Sequence, residues 1–251
     1  MLHAGALVAL LRRELWPLAL GAVLGDQLLL TACGLWPRST LLGPNWTRLP
    51  GSAATRGQIA LTIDDGPDPE VTPAVLELLE RHGARATFFC IGERVNRHPE
   101  LVREIARAGH AVENHSQRHP HHFSLLGVQA VAREIEQAQE SIAQVCGTRP
   151  LFFRAPAGLR SPLLQPQLAR LGLLLASWTR RGFDTVKRDS GAVLARLNRG
   201  LAPGDILLLH DGRAARTRAG VPVIVEVLPV LLERIAAAGL RTVTLRQALE
   251  V

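Results

Sequence analysis

From residue 58 onward, short apolar runs alternate with amphipathic stretches. The runs at 58–63, 86–91, 111–113, 151–154, 173–178, 205–209 and 241–245 are short and nearly continuous in their apolar character, as strands covered on both faces are. Between them, apolar positions recur with helical spacing at 71–82, 100–108, 124–145, 162–171, 190–199 and 222–238. Gly83, Gly109, Gly147, Gly172, Gly200 and Gly239 follow these stretches, at the places where helices commonly close. Such alternation predicts an α/β fold with a parallel sheet and right-handed crossovers.

Ahead of this region, 15–36 is mostly apolar and long enough to approach a membrane span. Arg12 and Arg13 precede it, Arg38 follows it, and Asp26 and Gln27 interrupt it. A signal anchor would keep Arg12 and Arg13 cytoplasmic. A helix lying on the membrane or on the domain would accommodate Asp26 more easily. Leu30-Thr31-Ala32-Cys33 also has the form of a bacterial lipoprotein cleavage box. Membrane association is the expectation, with 1–36 as an apolar membrane-associated segment. Pro37, Gly43, Pro44, Pro50 and Gly51 punctuate 37–57, which reads as a connecting segment. One domain then fills 58–251.

Composition narrows the classes. With 47% hydrophobic and 20% charged residues, the 251-residue chain can bury a sizeable core. The net charge of +7 is carried almost wholly by arginines, scattered without a block, and Lys187 is the only lysine. Aromatics are 4% and tyrosine is absent, and no zinc finger, basic helix or RNA-binding signature occurs, so no nucleic-acid partner is expected. Three cysteines cannot build a disulfide framework, and Cys90 and Cys146 fall at packing positions.

The unusual polar residues sit where predicted strands end. Asp64 and Asp65 follow the first strand, His115 and His119 the third, Arg154 the fourth, and His210 and Asp211 the sixth. In parallel α/β architectures the carboxyl ends of the strands share one face, where active sites form. Two adjacent carboxylates exceed what a plain turn needs, and like charges side by side call for an offsetting cation. Two imidazoles four residues apart can grip one ion if the segment turns. With a carboxylate they make a 2-His-1-carboxylate set that leaves positions open for water and substrate. A histidine at the end of an apolar strand suits acid–base work, although a satisfied core histidine has the same pattern.

These motifs resemble the polysaccharide deacetylase family with the NodB-homology domain, carbohydrate esterase family 4. Thr62-Ile63-Asp64-Asp65-Gly66-Pro67 matches its T-F-D-D-G-P, and His115 through Pro120 matches H-S/T-x-x-H-P. Arg154 through Gly158 matches R-x-P-aromatic-G except at Ala157, and Leu208-Leu209-His210 matches L-x-H. The resemblance covers roughly 58–251. It implies a distorted (β/α) barrel of about seven parallel strands. It also implies deacetylation of an N-acetylated amino sugar in a cell-envelope polysaccharide, oligosaccharide or glycolipid. Asp64 would be the general base, Arg154 its orienting partner and His210 the general acid. Asp65, His115 and His119 would hold a divalent metal, zinc first and cobalt as another option. The backbone N–H of Ala157 would help hold the oxyanion, and Leu208 would line the pocket for the acetyl methyl. The corresponding location is a bacterial inner membrane, with the catalytic domain facing the periplasm or cell envelope. An O-acetyl esterase and a catalytically silent carbohydrate-binding relative share these motifs, and a non-haem iron oxygenase shares the ligand set.

The sequence departs from the family in two places. Ala157 cannot form the aromatic wall of a sugar groove. Around Trp178, Arg181 stands where a carboxylate is expected, and Asp184 becomes the candidate partner for His210. Glu113 stands where a small residue is common. A groove altered in this way suits a substrate other than a long, simple chitin chain.

Overall fold

In the computed structural model, which describes residues 14–249, eight strands form one parallel sheet. They are β1 (Gln58–Asp64), β2 (Ala86–Cys90), β3 (Ala111–Asn114), β4 (Phe152–Phe153), β5 (Leu174–Leu175), β6 (Arg180–Arg181), β7 (Ile206–His210) and β8 (Arg241–Val243). Seven follow the order β5-β4-β3-β2-β1-β7-β6, and β8 pairs with the first half of β1 on the edge that β2 continues. The result is a curled half-barrel, in agreement with the expected fold class. Helices α1 (Trp16–Leu35), α2 (Gly51–Thr55), α3 (Thr72–Arg81), α4 (Gly92–Arg97), α5 (Pro99–Arg107), α6 (Val128–Cys146), α7 (Leu164–Arg170), α8 (Ser190–Asn198) and α9 (Val223–Ala237) complete the described residues. The six glycines read as helix ends all take left-handed φ, from 57° to 80°.

Period-two alternation along the strands sorts the core. Ile59, Leu61, Ile63, Leu207 and Leu209 face outward onto α3, α8 and α9, in one apolar cluster with Val75, Leu197 and Leu231. Their sequence neighbours Ala60, Ile206 and Leu208 face the barrel interior with Phe89, Phe152 and Trp178. Asp64 and His210 continue the inward series as its last members, and they are register partners across β1 and β7. The same alternation that fills the barrel therefore also places two titratable groups side by side at its mouth.

The segment 37–57 does more than connect. Trp46 N–H donates to the Leu175 carbonyl (2.8 Å), and Ser177 N–H donates to the Trp46 carbonyl (2.9 Å). Thr47 accepts from Thr179 Oγ1 (2.6 Å), and Arg48 pairs with the buried Asp205 (2.8 Å). Trp46 also meets Phe152 edge-on at 5.2 Å. This stretch fills the gap left where the expected strand 173–178 stops at Leu175 and the chain rejoins the sheet only at β6. The expected helix 124–145 begins at Val128, because a 3-10 turn at Phe123–Leu125 and Gly127 precede it. The short helices α2 and α4 carry too few turns to leave a periodic signal.

α1 occupies most of the apolar stretch expected at 15–36 and is mostly exposed, with Leu18, Leu24, Leu28 and Leu29 all more than half accessible. At 20 residues it is about 30 Å long, which matches a hydrocarbon core. Arg12 and Arg13, on which the expected orientation rests, lie outside the described residues.

Candidate active site

Asp64 ends β1, and its Oδ1 accepts from Arg154 Nη1 at 2.6 Å. Arg154 is buried and fully engaged. It also donates to Thr62 Oγ1 (2.8 Å) and to the carbonyls of Ala176 (3.1 Å) and Ser177 (2.7 Å), and it lies 4.1 Å over the Phe89 ring. A guanidinium held by three further acceptors cannot swing away, so Asp64 is fixed in one orientation. Its other oxygen lies 3.8 Å from His115 Nε2.

Asp65 takes a left-handed φ of 73°, which turns its side chain from the strand line toward the histidines. Its Oδ1 is 3.4 Å from His115 Nε2 and 3.2 Å from His119 Nε2. That oxygen is buried without a hydrogen-bond partner, and the three ligand atoms lie within 4.8 Å of one another. His115 Nδ1 bonds to the Arg154 carbonyl (2.8 Å), which makes it the protonated nitrogen and leaves the Nε2 lone pair free. Burial, and then the neighbouring His115, push the His119 pKa down to about 4, so its ring is neutral at pH 7. Burial resists ionisation of Asp65, yet His115, then His119 and His210, hold its carboxyl well below the usual range. A buried anion with an orphaned oxygen beside two converging imidazoles fits a divalent cation. Left-handed φ at Ser116 (64°), His119 (55°) and Ala157 (56°) gathers backbone strain on this same face.

His210 ends β7, and Asp184 reaches it twice, from Oδ1 to the ring Nδ1 (2.9 Å) and from Oδ2 to the backbone N–H (2.7 Å). Burial opposes a charge on His210, but Asp184, with Asp64 and Asp65, outweighs it and raises the pKa above the ordinary range. Asp211, next in sequence, turns the other way and accepts from Thr72 Oγ1 at 2.5 Å. Its carboxyl is pushed up to about 7, chiefly by burial.

Asp64, Asp65, His115, His119, His210, Ala157 and Leu208 all line one cleft of ≈190 Å³. Arg154 and Asp184 stand behind it, each against a lining residue. The cleft also takes Trp178, Arg181, Thr185, His121 and Arg213. Arg213 and Thr185 carry no signal in the sequence beyond lying within three residues of His210 and one of Asp184. Glu113 proves structural. It is fully buried, accepts from the Leu151 and Phe152 N–H groups (2.7 and 2.8 Å) and pairs with Arg246 (2.5 Å).

Residues 51–176 match a family profile described as polysaccharide deacetylase. A chitooligosaccharide deacetylase of Sinorhizobium fredii is 34% identical over 165 residues, covering 65% of this chain and 76% of the relative. A peptidoglycan-N-acetylglucosamine deacetylase of Bacillus cereus is 33% identical over 193 residues, covering 76% of this chain and 87% of the relative. Among solved structures, the family 4 carbohydrate esterase from Streptomyces lividans, in complex with acetate, superposes with a TM-score of 0.67 at 32% identity, over 74% of this chain and 91% of that one.

Proposed function

This chain belongs to the polysaccharide deacetylase family, and from that premise we propose that it is a metal-dependent hydrolase that removes the N-acetyl group from an amino sugar of the cell envelope. The observation that carries the reading is the orphaned, buried Oδ1 of Asp65 facing two imidazoles, beside a second carboxylate fixed by a buried arginine. Asp65, His115 and His119 would hold the ion, with zinc the best match to one carboxylate and two imidazoles. When bound, such an ion polarises the acetyl carbonyl and acidifies water.

The chain's own groups supply the rest. Asp64, held by Arg154, accepts the proton of the attacking water. Ala157, in a left-handed turn, lines the cleft, and its N–H would stabilise the negative charge that develops on the carbonyl oxygen. His210, whose ring Nδ1 bonds Asp184, gives its proton to the leaving nitrogen, without which an amine does not depart. Leu208 offers an apolar surface to the acetyl methyl. Catalysis belongs to 58–251. α1 holds that domain at a membrane, on the envelope side.

The test is acetate release from N-acetylated glucosamine oligomers and glycolipids. Release stops on chelation, returns with zinc or cobalt, and falls about 10²–10⁴-fold in Asp64→Asn. Activity retained in that variant would remove Asp64 from the base role, and activity indifferent to chelation would remove the metal.

A further inference from the structure

α1 leaves the domain at the rim of the cleft. Its Gly34 carbonyl accepts from Arg160 N–H (3.1 Å), three residues beyond Ala157. Directly after the helix, Pro37 accepts from Ser177 Oγ (2.5 Å) and packs so closely on Gly158 that a Cβ there would meet Pro37 at 2.8 Å and the Trp178 ring at 2.5 Å. The Phe123–Leu125 turn, which begins four residues after His119, also lies beside α1. A cavity of ≈170 Å³ lies between Gln27, Leu30 and Leu35 of the helix and Leu125, Arg160 and Pro162. Both loops flanking α1 thus carry cleft residues just upstream. Apolar side chains are exposed on this side, with Leu125 at 83%, Leu35 at 61% and Trp36 at 59%. A helix of bilayer length rooted here brings the cleft mouth to the lipid surface, with Leu125 and Trp36 at the interfacial level.

The cleft itself is cationic at its rim. Arg181 and Arg213 both line it, beside Asp64 and His210. Arg181 lies 5.3 Å over the Trp178 ring and 5.0 Å over Phe183, with its Nε buried and without a partner. Among the described residues, neither Arg181 nor Arg213 pairs with a carboxylate. Two guanidiniums lining the cleft without a carboxylate partner among the described residues, one of them held by aromatic rings, fit an anion carried by the substrate, and phosphate is a group that guanidinium forks match well.

We propose that the substrate is an N-acetylated amino sugar joined through a phosphate to a membrane lipid, with Arg181 and Arg213 receiving the phosphate. This rests on the deacetylase reading and narrows its substrate. The reaction is hydrolysis: the amide C–N bond breaks, water supplies the acyl carbon with its oxygen, acetate leaves, and the amine stays on the lipid-linked sugar.

The experiment places the full chain, loaded with zinc, in phosphatidylcholine vesicles and measures acetate from four substrates. These are N-acetylglucosamine linked to a lipid by a phosphodiester, the same sugar on a neutral lipid linker, soluble N-acetylglucosamine 1-phosphate, and chitotetraose. The phosphodiester lipid is expected to have kcat/KM roughly tenfold above each of the others, the effect of one or two charge-assisted hydrogen bonds plus surface confinement. Arg181→Gln and Arg213→Gln narrow the gap between charged and neutral glycolipids. Leu125→Glu lowers turnover of both vesicle-borne substrates while leaving chitotetraose as it was. Equal turnover of the neutral glycolipid overturns the phosphate contact, and equal turnover of the soluble phosphate overturns the lipid. A preference for chitotetraose overturns the substrate class while deacetylation stands. Acetate from none of the four overturns the deacetylase reading with it.

Discussion

Asp184 illustrates what one carboxylate does when it is spent on a single histidine, one oxygen on the ring and one on the backbone. Both of its oxygens bond His210, and it is fully buried, so no water competes for it. Asp184→Asn keeps the shape and removes the charge that opposes burial, so the His210 pKa falls. The general acid must be protonated, so activity declines as pH rises through that pKa. The variant therefore loses about 10–100-fold in kcat at pH 7.5, and the alkaline fall of its pH–rate profile moves to lower pH. An unmoved alkaline limb in Asp184→Asn would separate Asp184 from the acid. Asp64, Asp65, His115, Arg154 and His210 were legible because each ends or directly follows a strand, and parallel topology collects strand ends on one face. Arg213 was not legible, because an exposed arginine among so many others has no distinguishing pattern. Asp211 adjoins His210 in sequence, but alternation along the strand turns its carboxyl to the opposite face, where Thr72 bonds it.

At the scale of elements, every strand expected from an apolar run is present, the runs at 151–154 and 173–178 shortened to two residues each, and only β6, two arginines with no apolar run, was not anticipated. β4, β5 and β6 are each that short, and what closes the sheet around them is side-chain and backbone bonding from elsewhere. Glu113 is the plainest case, a buried carboxylate that satisfies two N–H groups at the start of β4 and fixes Arg246 near the end of the described chain. Glu113→Ala leaves those donors unpaired, and urea denaturation should show a loss of about 2–4 kcal/mol. His110 joins two strands in a different way. Its Nδ1 accepts the Ala86 N–H (3.2 Å), a bond that protonation destroys, and burial, then Arg85, lowers its pKa to about 4. The unfolded chain takes up that proton below about pH 6.5 and the folded chain only near 4. The stability contributed by the neutral ring is therefore present above 6.5 and lost as pH falls toward 4, by about 3 kcal/mol. His110→Asn keeps an acceptor without a titration, and its stability should depend less steeply on pH across that window.

For the molecule as a whole, an ion bound only in the folded state is a stabiliser. Free zinc at 100 times its dissociation constant adds about 2.7 kcal/mol, and for a chain of this size each kcal/mol raises Tm by about 2–4 °C. Chelation should therefore lower Tm by several degrees in the native chain and leave His119→Ala nearly unaffected, as a thermal scan would reveal. Trp46 bears on how the molecule is made. Its stretch precedes β1 in the chain, yet it bonds to residues 175, 177, 179 and 205, and β1 itself pairs with β7. On the ribosome, the portion synthesised early must wait, unpaired, until most of the polypeptide has emerged before its hydrogen bonds can close. If translation stalls before β7 is complete, the product is left with an open sheet edge and a clear route to degradation. Truncated products of this chain should accordingly be short-lived rather than partly active.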